Sequence, residues 1–194
     1  IKMELIFRLL FKRKINEIKT GKDELYSVIR RLKKENESLI SKLKNEELKN
    51  ERIQFLINNN NMLGVNELQI EKTDKGVLTL VKIKHNPIEI LIYNVDVDNV
   101  YEKHTLLVYT SSFGESLRIK DIQGGNSFGH GSLAMKHLFK LAKEKGFKSI
   151  TGDLSYTDFE HKDRLFHFYE KHGFEIKLFD NRNYFGSIKK ELKT

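Results

Sequence analysis

Asp121-Ile122-Gln123-Gly124-Gly125-Asn126-Ser127-Phe128-Gly129-His130-Gly131-Ser132 is the stretch that decides how this chain reads. It joins a segment with strand character, 117–122, to a segment of helical period, 131–145, whose apolar face is Leu133, Leu138, Leu141 and Ala142. Glycines at such a junction let successive backbone N–H groups turn toward one anion, and the helix N-terminus adds its partial positive charge. A pyrophosphate is held in this way without many basic side chains. Glycines also serve plain tight turns, so the junction needs company before it means a site. The stretch lacks Gly-Lys-Ser or Gly-Lys-Thr, which argues against a P-loop nucleotide hydrolase. It does not open a βαβ unit with the dinucleotide fingerprint either.

Downstream, 149–154 reads as a buried strand and 159–172 as a second helix with Leu165, Phe166, Phe168 and Tyr169 on its apolar side. Two final strands, 174–179 and 184–189, are joined by the turn-like Asp180-Asn181-Arg182-Asn183. Upstream, 67–72, 77–85, 88–95 and 105–110 have strand character, punctuated by Lys75-Gly76 and Asn86-Pro87. Successive strands without a long intervening helix predict an antiparallel meander. The whole order predicts an α/β chain, an α+β mixed sheet.

The N-terminal third differs. Leu25, Ile29, Leu32, Asn36, Leu39, Leu43, Glu46, Asn50, Ile53 and Ile57 follow one another at alternating spacings of four and three, and seven of these ten are aliphatic. That is a heptad seam on a solvated helix. So narrow a stripe needs a partner helix, and Asn36 and Asn50 at a positions suit a parallel pair of identical chains. Packing on its own domain is the alternative. The frame extends weakly back through Ile18, Ile15 and Phe11, with Gly21 and Lys22 weakening the join. Asn58 to Asn61 and Gly64 mark a linker, so the expected division is a helical, coiled-coil segment over 1–60 and a second domain over 61–194.

The formal net charge of +8 divides along the same line: residues 1–60 hold 15 Lys and Arg against 9 Asp and Glu, and residues 61–194 hold 20 against 18. The basic excess therefore rides on the helix. Arg8, Lys12, Arg13, Lys14 and Lys19 suggest a DNA-associated regulator, but Leu9, Leu10, Phe11, Ile15 and Ile18 interleave them, whereas a groove-inserted helix is polar nearly all round. Nucleic acid is the weaker reading. The chain has no Cys, which excludes a disulfide framework, a thiolate zinc site and a cysteine nucleophile. That composition is compatible with the cytoplasm. No run of about 18 apolar residues is present, so no membrane span is expected, and no signal peptide is supported.

Two motifs then stand in order. Asn126-Ser127-Phe128-Gly129-His130-Gly131 matches the glycines of a pattern that reads Arg or Gln, two residues, Gly, one residue, Gly or Ala; Asn126 stands where Arg or Gln is usual. Phe168-Tyr169-Glu170-Lys171-His172-Gly173-Phe174 matches an aromatic-Tyr-acidic-basic run ending in Gly-Phe. With the strand and helix between them, these motifs resemble the GNAT superfamily of acyl-CoA-dependent N-acyltransferases. The resemblance covers about 62–194 and leaves out the coil. It implies a GNAT-like fold behind a long N-terminal coiled-coil helix, with acetyl-CoA as acyl donor and an amine as acceptor.

By that resemblance, Asp121, Ile122 and Gln123 pair with the pantetheine arm of the donor. The backbone of Asn126, Ser127, Phe128, Gly129, His130, Gly131 and Ser132 holds its pyrophosphate. Lys162 and Asp163 stand where relatives often carry an Asn. Direct attack of an amine on a thioester needs a base for the ammonium proton, donors for the oxyanion and an acid for the thiolate. Tyr169 stands where many relatives place the acid, the alternative being an aromatic packed under Gly173-Phe174. Asp153 and Glu115 are the base candidates. His130 could touch a phosphate or be a plain surface His. His161, His167 and His172 lack the HExxH spacing, so no metal is expected. Lys140, Lys143, Lys145 and Lys148 are a solvated face or an attraction for the ribose phosphate. The expectation is a cytoplasmic N-acetyltransferase whose coil dimerises it or docks a helical protein partner. A CoA-binding coiled-coil protein without catalysis is the second reading.

Overall fold

The computed structural model describes residues 2–58, 64–95, 104–125 and 128–192. The chain opens with helix α1 (Lys2–Asn58). Five strands follow: β1 (Glu67–Lys72), β2 (Leu78–His85), β3 (Ile88–Asn94), β4 (Leu106–Phe113) and β5 (Ser116–Gly124). Then come α2 (His130–Glu144), β6 (Ser149–Ser155), a 3-10 turn (Tyr156–His161), α3 (Lys162–Lys171), β7 (Glu175–Leu178) and β8 (Tyr184–Glu191). All eight strands form one sheet in the order β1-β2-β3-β4-β5-β6-β8-β7. The α/β mixed sheet expected from the sequence is present.

The pairing follows from the connections. Short turns join β1 to β2, β2 to β3, β4 to β5 and β7 to β8, so those pairs are antiparallel. The crossover through α2 makes β5 and β6 the one parallel pair among the described strands. The helix expected over 159–172 opens as a 3-10 turn and becomes regular only at Lys162.

Strand alternation fills both faces of the sheet. On one face Val81, Ile83, Ile90, Ile92, Val108, Leu117 and Ile119 pack against Leu133, Met135, Leu138 and Leu141 of α2. On the other, Leu80, Leu91, Tyr93 and Val95 pack against Leu56 at the end of α1. Arg52 is buried there too and donates from Nε to the Asn94 carbonyl at 2.8 Å. Both faces of β2 are covered, so its burial is nearly continuous rather than alternating.

Contacts divide the chain into two compact units, 1–48 and 49–194. In the first, α1 continues through Gly21 without a break, and the seam residues Leu25, Ile29, Leu32, Leu39 and Leu43 are exposed. The last turns of the helix, 49–58, belong to the second unit. Asn59 to Asn61, in the expected linker, lie outside the described residues. Among the described residues no helix is long and apolar enough to cross a membrane.

Candidate active site

The site begins where two strands stop pairing. β5 and β6 are in register only from Ser116–Ser149 to Ile119–Gly152. Beyond that, β5 stays with β4 as far as Gly124, and β6 stays with β8 as far as Ser155. A bulge helps turn β5 away: Tyr109 pairs with Asp121 and Thr110 with Ile119, leaving Lys120 unmatched. The gap between the parted strands opens into a cleft of about 690 Å³, walled also by the start of α2 and one side of α3.

The α2 wall offers donors. Its first intrahelical bond runs from Leu133 N–H to the Gly129 carbonyl, 3.0 Å, so the amides of His130, Gly131 and Ser132 have no partner inside the helix. Among the described residues no side chain caps them. Gly129 has φ +87°, a left-handed conformation that side chains disfavour, and a Cβ there would run into the Asp74 carboxylate. At Gly131 a Cβ would lie 2.8 Å from the Phe168 ring of α3. Gly129 is thus favoured by its backbone conformation and by crowding, and at Gly131 a Cβ fits only if the Phe168 ring shifts.

His130 is 1% exposed, lines the cleft and, among the described residues, has no hydrogen bond to either ring nitrogen. Burial pushes its pKa down, so the ring is neutral near pH 7. It is a buried residue rather than a surface His. Ser132 sits between α2 and α3: its Oγ accepts from Lys171 Nζ at 3.3 Å and lies 3.4 Å from His172 Nε2. The Lys171 Nζ is 4.0 Å from Asp74 in the β1–β2 turn.

Tyr169 comes to the cleft from α3 and is 6% exposed. Its hydroxyl has no hydrogen-bond partner among the described residues. Burial raises its pKa far above the usual tyrosine value, and the Asp158 and Asp121 carboxylates push the same way. It is therefore held protonated as a donor. The ring also packs edge-on against Phe174 at 5.4 Å, the packing foreseen as the alternative to an acid.

Asp153 and Arg118 project from β6 and β5 into the cleft and form an ion pair. Strand alternation puts them on the face opposite α2. Asp121 and Ile122 line the cleft, while Gln123 does not and donates from Nε2 to Asp121 at 2.6 Å. Phe128 is half exposed and packs edge-on to His130. Asn126 and Ser127 lie outside the described residues. Glu115 is excluded as a base by position. It sits in the β4–β5 turn, paired with Lys148, at the end of β5 remote from the cleft. Lys140 pairs with Glu144, and the four lysines that follow the glycine stretch do not line the cleft.

Sequence reasoning missed Arg118, Asp74 and Arg164, and it named His167 and Lys171 without placing them on the cleft. Position 118 read only as a polar residue in a strand, and the register that brings it to Asp153 depends on the crossover through α2. The alternation of α3 did carry a signal, since Arg164, His167 and Lys171 share one face. Among the described residues no group of three His, Asp or Glu is placed to hold a metal ion.

One mixed sheet, a parallel pair that parts, and a helix whose bare N-terminus faces the gap frame the cleft of this α/β fold. No family model matches the chain. The uncharacterized protein YocC of Bacillus subtilis (strain 168) is 41% identical over 75 residues, which are 39% of this chain and 45% of YocC. The chain thus matches less than half the length of that curated relative. Among solved structures the chain is similar to the GNAT domain of S. lividans PAT at 7% identity, covering 64% of this chain and 97% of that one, TM-score 0.48. It is similar to the PaiA N-acetyltransferase of Thermoplasma acidophilum, solved with coenzyme A, at 13% identity, covering 53% and 59%, TM-score 0.42. The ribosomal-protein-S18-alanine N-acetyltransferase of Escherichia coli is similar at 13% identity, covering 55% and 69%, TM-score 0.42.

Proposed function

We propose that the domain over 61–194 is an N-acetyltransferase that moves an acetyl group from acetyl-CoA to a primary amine by direct attack. The observation that carries this reading is the convergence on one cleft of three free α2 amides, the open edge of β5 and the protonated hydroxyl of Tyr169. The residues fit the donor. The amides of His130 to Ser132 suit its pyrophosphate, and the unpartnered ring nitrogens of His130 give a buried polar group a use. Beyond Ile119 the edge of β5 facing β6 has no strand partner, which suits the amides of a pantetheine arm laid along Asp121 to Gln123.

The amine nitrogen forms a bond to the thioester carbon, the carbon–sulfur bond breaks, Tyr169 gives the departing thiolate its proton, and the proton that the acylated nitrogen sheds restores the Tyr169 hydroxyl. Asp153 takes the proton that the ammonium loses, and Arg118 positions the carboxylate. With no Cys in the chain, no cysteine acyl-enzyme intervenes. The segment over 1–60 serves as a coiled coil that dimerises the protein or docks a helical partner, supported by the exposed seam from Leu25 to Leu43. Acetyl-CoA, a metabolite of the cell interior, supports a cytoplasmic location.

The ion pair at Asp153 favours a second reading, since a carboxylate held by a guanidinium is a weaker base: a CoA-binding protein without catalysis. Thiol release from acetyl-CoA with a panel of amines decides between them. Turnover that drops in Tyr169→Phe supports the enzyme. Acetyl-CoA binding without turnover toward any amine supports the binder.

A further inference from the structure

We propose that one face of α3 is a second anion subsite, built to take a phosphate monoester that the ligand carries at a distance from its diphosphate. The inference rests on the reading of the cleft as an acyl-CoA site and deepens it. The phosphate it fits is the 3′-phosphate on the ribose of CoA.

Arg164, His167 and Lys171 stand at spacings of three and four, so they share one face of the helix, and all three line the cleft. His161, in the 3-10 turn before α3, extends the row. Exposed cations on a helix ordinarily pair with acids one turn away. Glu160 precedes Arg164 by four residues and Asp163 precedes His167 by four, yet neither forms an ion pair with it. Arg164 and His167 have no hydrogen bond or ion pair with any described residue. On this wall, from Ser155 to Lys171, the only carboxylate facing the cleft is Asp158, and it makes no ion pair with the row. The result is a guanidinium turned toward the cleft without a counter-ion, beside an imidazole without a partner among the described residues, while Lys171 alone of the three has a carboxylate, Asp74, within reach.

Spacing then selects the ligand. Lys171 marks one end of the row, because its Nζ is 3.3 Å from Ser132 Oγ at the bare start of α2. That is where the diphosphate is placed. At 1.5 Å per residue, His167 lies about 6 Å and Arg164 about 10.5 Å farther along α3. A ligand with only a diphosphate would leave those two unused. A ligand with a further phosphate one ribose away reaches them, and an Arg fork beside an imidazole suits a phosphate monoester. Lys140, Lys143, Lys145 and Lys148 cannot serve, since they stand outside the cleft.

The test is isothermal titration of the full chain with acetyl-CoA and with acetyl-dephospho-CoA, which lacks the 3′-phosphate. Wild type is expected to bind acetyl-CoA at least tenfold more tightly. The double variant Arg164→Gln, His167→Gln is expected to bind both as wild type binds acetyl-dephospho-CoA, and that unchanged affinity also shows that it is folded. Equal affinity of wild type for the two ligands overturns the subsite and leaves the acyl-CoA reading standing. So does a preference that survives in the variant. If wild type binds neither ligand, the acyl-CoA reading falls and takes the subsite with it.

Discussion

Gly129→Ala separates what backbone chirality demands from what the site demands. Gly129 and Gly146 both have positive φ, +87° and +74°, so an Ala at either incurs the left-handed penalty of about 1–2 kcal/mol. Nothing lies within 4 Å of a Cβ at Gly146, and its cost should stop there. At Gly129 the Cβ runs into the Asp74 carboxylate and comes within 3.0 Å of the Thr73 Cβ. The β1–β2 turn is fixed by hydrogen bonds between Thr73 and Val77 and from Gly76 N–H to the Thr73 carbonyl, so it yields only by shifting as a whole. Overpacking of this kind adds about 1–3 kcal/mol. Urea unfolding should therefore place Gly129→Ala about 1–3 kcal/mol below Gly146→Ala. Adding Asp74→Ala should recover part of that difference but not all, because Thr73 remains. Titration with acetyl-CoA should show weakened binding in Gly129→Ala alone, since the displaced start of α2 carries the three free amides. Equal destabilisation by the two substitutions, with binding untouched, would refute the close-approach argument and the place given to the anion.

Three further outcomes follow from the same geometry. Tyr169→Phe should lower kcat for thiol release by about a hundredfold or more, the usual scale for a general acid, while the affinity for acetyl-CoA stays the same. Because its folded pKa is raised, Tyr169 adds stability that is complete below pH 10 and lost as pH climbs above that value, so unfolding at pH 11 should be easier for wild type and less altered for the Phe variant. Burial lowers the pKa of His130, His137 and His172 below 6.5, with the Glu71 carboxylate opposing this at His137 and Asp74 at His172. The unfolded chain then binds more protons, so stability is complete above pH 6.5 and lost as pH falls; the urea midpoint should drop between pH 7.5 and 5.5, and less so in His130→Phe. Removing residues 1–48 should make the protein monomeric by light scattering and leave acetyl-CoA binding intact, whereas removing 1–58 also strips Leu56 and Arg52 from the sheet and should cost several kcal/mol, a loss of the kind that buried large residues give.

What could be read from the sequence, and what could not, divides by range. Strands, helices and turns are local, and their signals lie within a few residues. The run 67–72 coincides with β1, and the glycine stretch does open a helix. Tyr169 could be placed because its motif is contiguous. Arg118 could not, because its meaning comes from Asp153, 35 residues away, through a parallel register that the chain specifies only after α2 has crossed the sheet. Asp74 is a stronger case. In sequence it belongs to a turn between two strands, and it matters only because the fold brings that turn against Gly129.

At the end of α1 the heptad spacing runs on into turns that pack on the sheet. Ile53 and Ile57 continue the heptad seam, so periodicity alone runs the coil through to the asparagines. Leu56 and Arg52 do not belong to the seam, yet both are buried, on the sheet face opposite α2. A sliding count of heptads cannot see that change of partner, because an apolar position looks the same whether a second helix or a sheet covers it. The hint lies in the residues between: Phe55 and Leu56 break the polar surface that every earlier turn from Lys33 to Asn50 keeps, save Ile40 and Leu48. Where the surface of a coiled-coil helix turns apolar off the seam, a second contact begins. Here it begins before the heptad pattern ends, so these last turns carry the heptad spacing and yet belong to the sheet unit.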